Sequence, residues 1–283
     1  MHAHMPTTNV NGISIYYERH GGGEPLLWIG GLGANVREIP YLIDSYSRHF
    51  EMIVYDGRGC GRSDKPEGDY SIPGFADDAA ALLDALGVEA AFVYGSSLGG
   101  MVAQELTLRH PQRVRALVLG CTTAGAIRGV QPSPETVMTM VKNQSLSGDE
   151  ALAAGWTLGY SQGYIDANRE ALFARSRDAS QYACPRDSYI RQVVAAAKHD
   201  TYDRLEQITC PVMIIHGAED VMIPAGNAHL LKERITHAEL HLLEGMGHGY
   251  NLEAQATADA LVIDFLSRHA GAAEAQDLTR ALR

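Results

Sequence analysis

The sequence predicts an α/β fold, a mostly parallel central sheet with helices on both faces. Three observations carry this reading. Continuous apolar runs of strand length recur along the chain, and segments of helical spacing alternate with them. The alternation is broken once, between about Ala124 and Glu206, and then resumes. An apolar run with no polar alternation suits a strand buried on both faces. Repeated strand–helix alternation supplies the crossover helices that a parallel sheet needs.

Taken in order, Ile13 to Glu18 alternates apolar and polar residues and meets Gly21-Gly22-Gly23, which predicts an early antiparallel strand ending in a turn. Pro25–Ile29, Glu51–Tyr55, Ala90–Tyr94 and Val114–Leu119 read as buried strands. Between them, Ile72 to Leu86 places Phe75, Ala79, Leu82, Leu83 and Leu86 on one side of a helix that Gly87 stops. Leu98 to Arg109 is a second helix, followed by Pro111. After the break, Pro211–His216 and Ala238–Leu243 are strands, and Ala225–Ile235 and Ala254–Arg268 are helices. The break itself holds short amphipathic pieces separated by Pro132, Pro134, Gly148, Gly155, Gly159, Gly163 and Pro185, the pattern of a mostly helical insertion. The expected organisation is a core in two parts, residues 8–123 and 207–268, a helical cap over 124–206, and flexible termini at 1–7 and 269–283.

Bulk properties exclude several classes. The 283 residues carry 23 Lys and Arg against 34 Asp and Glu, a formal net charge of −11, and no basic run. A nucleic-acid binder needs a basic surface to replace counterions, so that class is set aside. The four cysteines are scattered with no C-x-x-C pair, which suggests reduced packing thiols rather than a disulfide framework or zinc site. Residues 1–6 lack the basic-then-apolar pattern of a signal peptide, and no apolar run approaches a membrane span. The expectation is a cytoplasmic monomer or homodimer with a small-molecule substrate and no membrane or nucleic-acid partner. No G-x-G-x-x-G opens a helix after a first strand, which argues against a dinucleotide-binding oxidoreductase. No metal or organic cofactor is expected.

The informative motif is Gly95-Ser96-Ser97-Leu98-Gly99, a G-x-S-x-G between a predicted strand and a predicted helix. Only Ser97 has a glycine two residues away on each side; Ser96 does not. The helix that follows aims its N-terminal N–H groups at the site. A serine held there attacks a carbonyl once a base takes its proton. So short a motif also arises by chance, so it needs partners. In a parallel sheet these collect beyond the carboxyl ends of the strands. Two such ends qualify: His216-Gly217-Ala218-Glu219-Asp220 and Glu244-Gly245-Met246-Gly247-His248-Gly249. The order Ser97, Asp220, His248 is that of nucleophile-elbow hydrolases. His248 is the expected base, singled out by its flanking glycines. Asp220, preferred over Glu219, holds the base in the needed tautomer. The backbone amides of Leu98 and of Leu32, in Gly30-Gly31-Leu32-Gly33, are the expected oxyanion donors. His216 reads as structural. Asp56 and Asp64 read as braces of a glycine loop, with Arg58 and Arg62 paired to such carboxylates.

Over about residues 8 to 268 the chain resembles the α/β-hydrolase superfamily, on the stretches just named together with Asp56-Gly57-Arg58-Gly59-Cys60-Gly61-Arg62-Ser63-Asp64 and Gly100-Met101. It is most similar in flavour to small bacterial esterases and lactonases, including enol-lactonase-like and acyl-homoserine-lactone-cleaving members. The resemblance implies an α/β-hydrolase fold and hydrolysis of a carboxylic ester or lactone through an acyl-enzyme. Some relatives place the acid after the strand that follows the nucleophile; here that position reads Gly120-Cys121-Thr122-Thr123, with no carboxylate. Relatives usually carry His-Gly where this chain has Gly30-Gly31, which leaves open how the Leu32 loop is held. Haloalkane dehalogenases and epoxide hydrolases of this fold use aspartate at the position of Ser97. Three rival functions remain: carbon–carbon hydrolysis of ring-cleavage products, cofactor-free perhydrolysis, and a small-molecule receptor. Met138, Met140, Trp156, Leu158, Tyr160 and Tyr164 of the cap, with Met101 and Val221 of the core, are the expected pocket residues.

Overall fold

The computed structural model describes residues 6–143 and 145–271. The termini expected to be flexible lie largely outside these, although Thr7 already belongs to a strand. Among the described residues eight strands form one sheet: β1 (Thr7–Val10), β2 (Ile13–Gly21), β3 (Pro25–Ile29), β4 (Glu51–Tyr55), β5 (Ala91–Ser96), β6 (Val114–Gly120), β7 (Val212–Gly217) and β8 (Glu239–Leu243). Their order is β1-β2-β4-β3-β5-β6-β7-β8. β1 and β2 form an antiparallel hairpin, and β2 pairs antiparallel with β4. Every pairing from β4 to β8 is parallel.

Alternation along these strands divides the core into two layers, because successive side chains point to opposite faces. Leu27, Ile29, Ile53, Val93, Leu117, Leu119 and Ile214 face one way. They pack under α2 (Ile72–Ala85), α3 (Leu98–Arg109) and α8 (Gly226–Arg234). Leu26, Trp28, Met52, Val54, Phe92, Tyr94, Val118 and Ile215 face the other way, against α1 (Pro40–Tyr46) and the last long helix, Gln255–Arg268. Both faces are therefore covered, which is why the central strands read as unbroken apolar runs.

The chain leaves the sheet after β6 and returns before β7. Between them lie α4 (Pro134–Asn143), α5 (Gly148–Gly159), α6 (Gln162–Ser180) and α7 (Arg186–Ala197). The insertion is pinched at its base by a bridge between Gly125 and Asp200 and by a Thr201 amide donating to the Ala124 carbonyl at 2.8 Å. Trp156, Ile165 and Leu172 give it an apolar cluster of its own. A short helix, α9 (Tyr250–Glu253), precedes the Gln255–Arg268 helix, α10. Among the described residues no helix is long and apolar enough to cross a membrane.

Candidate active site

Ser97 occupies the sharp turn from β5 into α3, with φ 57° and ψ −121°. A non-glycine residue with positive φ is strained by on the order of 1–3 kcal/mol and persists only where its surroundings hold it. Here the Ser97 amide donates to the Gly120 carbonyl at 2.9 Å. Its own carbonyl accepts from the Gly100 amide at 2.9 Å and the Thr122 hydroxyl at 2.7 Å. The flanking glycines are needed for close approach. A Cβ at Gly95 would strike the Gly99 carbonyl oxygen, and one at Gly99 the Ile29 carbonyl oxygen. The first turn of α3 thus packs directly on β5 and β3.

Asp220 follows β7 and is buried. Its Oδ1 accepts the Met222 and Ile223 amides, both at 2.9 Å, and its Oδ2 lies 2.6 Å from His248 Nδ1. His216 Nε2 lies 3.3 Å from the same Oδ2 and 2.7 Å from the Ile223 carbonyl oxygen. That carbonyl accepts only, so the His216 proton sits on Nε2 and points at both oxygens. His216 therefore orients Asp220, in line with its reading as structural. Burial pushes the Asp220 carboxyl up, but the His216 and His248 hydrogen bonds outweigh this and hold it well below the usual carboxylate range. For His248, burial works against the charged ring. Cys121 and the Asp220 carboxylate beside it favour protonation, and its pKa stands well above 6.5.

Ser97, His248 and Leu32 line one cavity of about 600 Å³. Among the described residues, neither the Leu32 nor the Leu98 amide meets an acceptor within the protein. Gln192 of α7 holds the Leu32 loop: its Oε1 accepts the Gly33 amide at 2.9 Å, and its Nε2 donates to the Arg58 carbonyl at 3.2 Å. Asp56 braces the same loop from below by accepting the Val36 amide at 2.8 Å, and it also binds Arg62. Arg58 pairs instead with Asp78 of α2, at 2.7 Å, and Asp64 accepts the Ser14 amide. The bracing of this loop thus comes from the core through Asp56 and from the insertion through Gln192, a glutamine that no sequence motif marks.

The rest of the wall differs from expectation. Trp156 and Tyr160 line the cavity, but Met101, Met138, Met140, Leu158, Tyr164 and Val221 do not. Met101 is turned into the core beside Leu98 and Val102. Met138 is 74% exposed, on a helix with no buried residue, and Met140 lies on the same helix. Tyr164 packs behind the wall against Tyr160, ring centroids 5.5 Å apart. Val221 points outward, and its neighbour Met222 takes the place expected of it. Besides His248, Glu38 and Arg175 are the titratable carboxyl and guanidinium groups that face the cavity among the described residues. Burial pushes the Glu38 carboxyl up to about 7, against the pull of the Asn35 amide and of Arg175. Arg175 makes a long contact with the Tyr160 hydroxyl, 3.5 Å, and no ion pair among the described residues. Among the described residues, no three His, Cys, Asp or Glu side chains cluster so as to hold a metal ion.

The model of the alpha/beta hydrolase fold family matches residues 24–255. The chain belongs to that family. RutD of Caulobacter sp. (strain K31), named as a candidate carbamate hydrolase, is 29% identical over 277 residues, 94% of this chain and 100% of that protein. The 3-oxoadipate enol-lactonase 2 of Acinetobacter baylyi is 29% identical over 253 residues, 87% and 91% of the two chains. Among solved structures, the enol-lactonase from Burkholderia xenovorans LB400 superposes with a TM-score of 0.80 at 26% identity, covering 93% of this chain and 100% of its own. The chain is an esterase- or lactonase-like member of the superfamily, and family and relatives together support hydrolase activity.

Proposed function

We propose that this protein is a serine hydrolase of a carboxylic ester or lactone, with Ser97 as nucleophile, His248 as base and Asp220 as its orienting acid. The observation that carries the reading is the 2.6 Å bond between His248 Nδ1 and a buried Asp220 carboxylate, on a cavity that also holds the strained Ser97. With Nδ1–H committed to Asp220, Nε2 is the acceptor and takes the hydroxyl proton as Oγ attacks. Negative charge develops on the acyl oxygen, where the amides of Leu98, at the start of α3, and of Leu32, in the loop after β3, serve as fixed donors. His248 then gives its proton to the leaving alcohol. A water that passes its proton to the same nitrogen releases the acyl group. In a lactone the alcohol stays tethered to the acyl group until that second step.

The enol-lactonase likeness favours a lactone, and the RutD likeness makes a carbamate the second substrate to try. Both present a carbonyl to the same serine. Ser97→Ala is expected to lower turnover of a nitrophenyl ester by several orders of magnitude with the fold intact by circular dichroism. Turnover at the parent rate would overturn the assignment. A panel of nitrophenyl esters, homoserine lactones, an enol-lactone and a carbamate then names the class. A vinylogous diketone, a halide–peroxide assay and ligand-dependent melting test the three rivals.

A further inference from the structure

We propose that Cys60 and Cys184 form a reversible disulfide that fastens the cap to the core, a redox-modification site at the rim of the active-site cavity. Cys60 lies in the glycine loop after β4 and is buried; Cys184 lies between α6 and α7 and lines the cavity. Far apart in sequence, the two meet where the insertion rests on the core. The Cys184 thiol donates to the carbonyl of Gly59, the residue before Cys60, at 3.3 Å. Each of the two thiols shifts the ionisation of the other, as side chains in close proximity do. Gln192, which braces the Leu32 loop, also donates to Cys60 Sγ, at 3.1 Å. A bond formed here is therefore one residue contact away from the expected oxyanion donor.

The two thiols differ in the way a sensor pair requires. The Cys60 side chain holds the Cys184 thiol below its ordinary range against the opposing effect of burial, with a smaller pull from Lys65, and Cys184 is reachable from the cavity. Cys60 is pushed up by the neighbouring Cys184 and then by burial. Low-pKa, accessible thiols are the ones oxidised first. The oxidant is hydrogen peroxide. The Cys184 thiolate attacks one peroxide oxygen, the O–O bond breaks, and the departing hydroxide takes up a proton as water, leaving a sulfenic acid. Cys60 then attacks that sulfur; the S–O bond breaks, the S–S bond forms, and the Cys60 proton leaves with the hydroxide as a second water. Two thiols lose two electrons and the peroxide gains them. A dithiol reductant reverses the change.

The test is read by mass and does not depend on the proposed substrate. Reduced protein is treated with hydrogen peroxide at neutral pH, free thiols are alkylated, and the protein is digested without reductant. A peptide joining Cys60 to Cys184, with the other two cysteines alkylated and the link undone by dithiothreitol, is the expected result. Closing so long a loop raises Tm by about 5–10 °C, and turnover falls in step with the linked fraction. In Cys60→Ser the link is lost, and dimedone traps a sulfenic acid on Cys184. Both cysteines alkylated after peroxide, or Cys184 oxidised beyond sulfenic acid with Cys60 still free, would overturn the proposal. A link that forms but leaves Tm and turnover unchanged would overturn the claim that it fastens the cap.

Discussion

Replacing Asp220 by Asn removes a charge without removing volume, and the structure says how the new amide must sit. Asp220 Oδ1 accepts two backbone amides, from Met222 and Ile223, so the Asn oxygen stays on that side. The NH₂ group then occupies the place of Oδ2 and faces His248 Nδ1 and His216 Nε2. It donates and cannot accept, so His248 flips tautomer: Nδ1 becomes the acceptor and Nε2 carries the proton. A ring protonated at Nε2 cannot take the Ser97 proton. The fall in kcat expected from a wrong tautomer at such a site is about 10⁴-fold, equivalent to about 5.5 kcal/mol of barrier. The ring also loses the carboxylate that favours its charged form. With His248 as the proposed base, which must be deprotonated to act and whose pKa is raised, the rise in the parent's kcat/KM is expected above pH 6.5. In Asp220→Asn the residual activity rises at lower pH. The assay is stopped-flow release of nitrophenol across pH 5 to 10 on folded protein of both forms. A variant within tenfold of the parent, or with an unmoved pH profile, would refute the reasoning.

Three further outcomes are expected. Gln192→Ala frees the loop that carries Leu32 and lowers kcat about tenfold or more with KM little changed, as loss of a donor's alignment should; a rise in KM alone would contradict it. Arg175→Gln raises KM at least about tenfold for a monoester of a dicarboxylic acid but not for its neutral counterpart, since charge-assisted bonds contribute about 1.5–3 kcal/mol; equal effects on both would assign Arg175 a packing role. His199 is buried among Glu105, Asp200 and Arg204, and burial lowers its pKa from 6.5 to about 4. Its folded pKa lies below its unfolded one, so its contribution to stability is whole above pH 6.5 and is lost as pH falls towards 4, by about 3 kcal/mol at most. His199→Gln flattens that part of the stability curve, which denaturant melts at pH 4 to 7 measure.

The central strands were legible because a strand covered on both faces has no choice but to be apolar throughout; β3 and β4 keep the limits their apolar runs suggest. β1 escaped notice because an edge strand of four residues needs little burial, yet Asn11-Gly12, with both residues at positive φ, is a hairpin signal that reveals it. α1, seven residues beginning with Pro40, is too short for helical spacing to stand out. The candidate site was legible for a different reason: each of its groups follows a strand end. Its wall was not. α6 turns Ser176, Ala179 and Ser180 to the cavity, small residues that let the helix come close, and carries Arg175 among them. Large apolar residues mark a core from sequence, so the expectation fell on the methionines of α4, which the packing of α5 and α6 leaves outside.

How Asp220 and His248 come within hydrogen-bonding distance is a matter of β7 and β8 as much as of the two residues. The strands pair in parallel, Gly217 opposite Leu243, so both loops leave the sheet side by side. The second loop then crosses directly over the end of β7: the Ala218 amide donates to the Leu243 carbonyl at 3.0 Å and the Glu219 amide to the Met246 carbonyl at 2.9 Å. A Cβ at Gly217 would strike the Met246 and Gly247 carbonyl oxygens. Glycine at 217 is what allows the crossing, and those two amide bonds fix its height. His248, two residues beyond Met246, is thereby delivered to a carboxylate whose other oxygen is already anchored by Met222 and Ile223. The Gly-Ala-Glu-Asp stretch after β7 is thus a geometric requirement of the Asp220–His248 contact as well as the segment that carries Asp220.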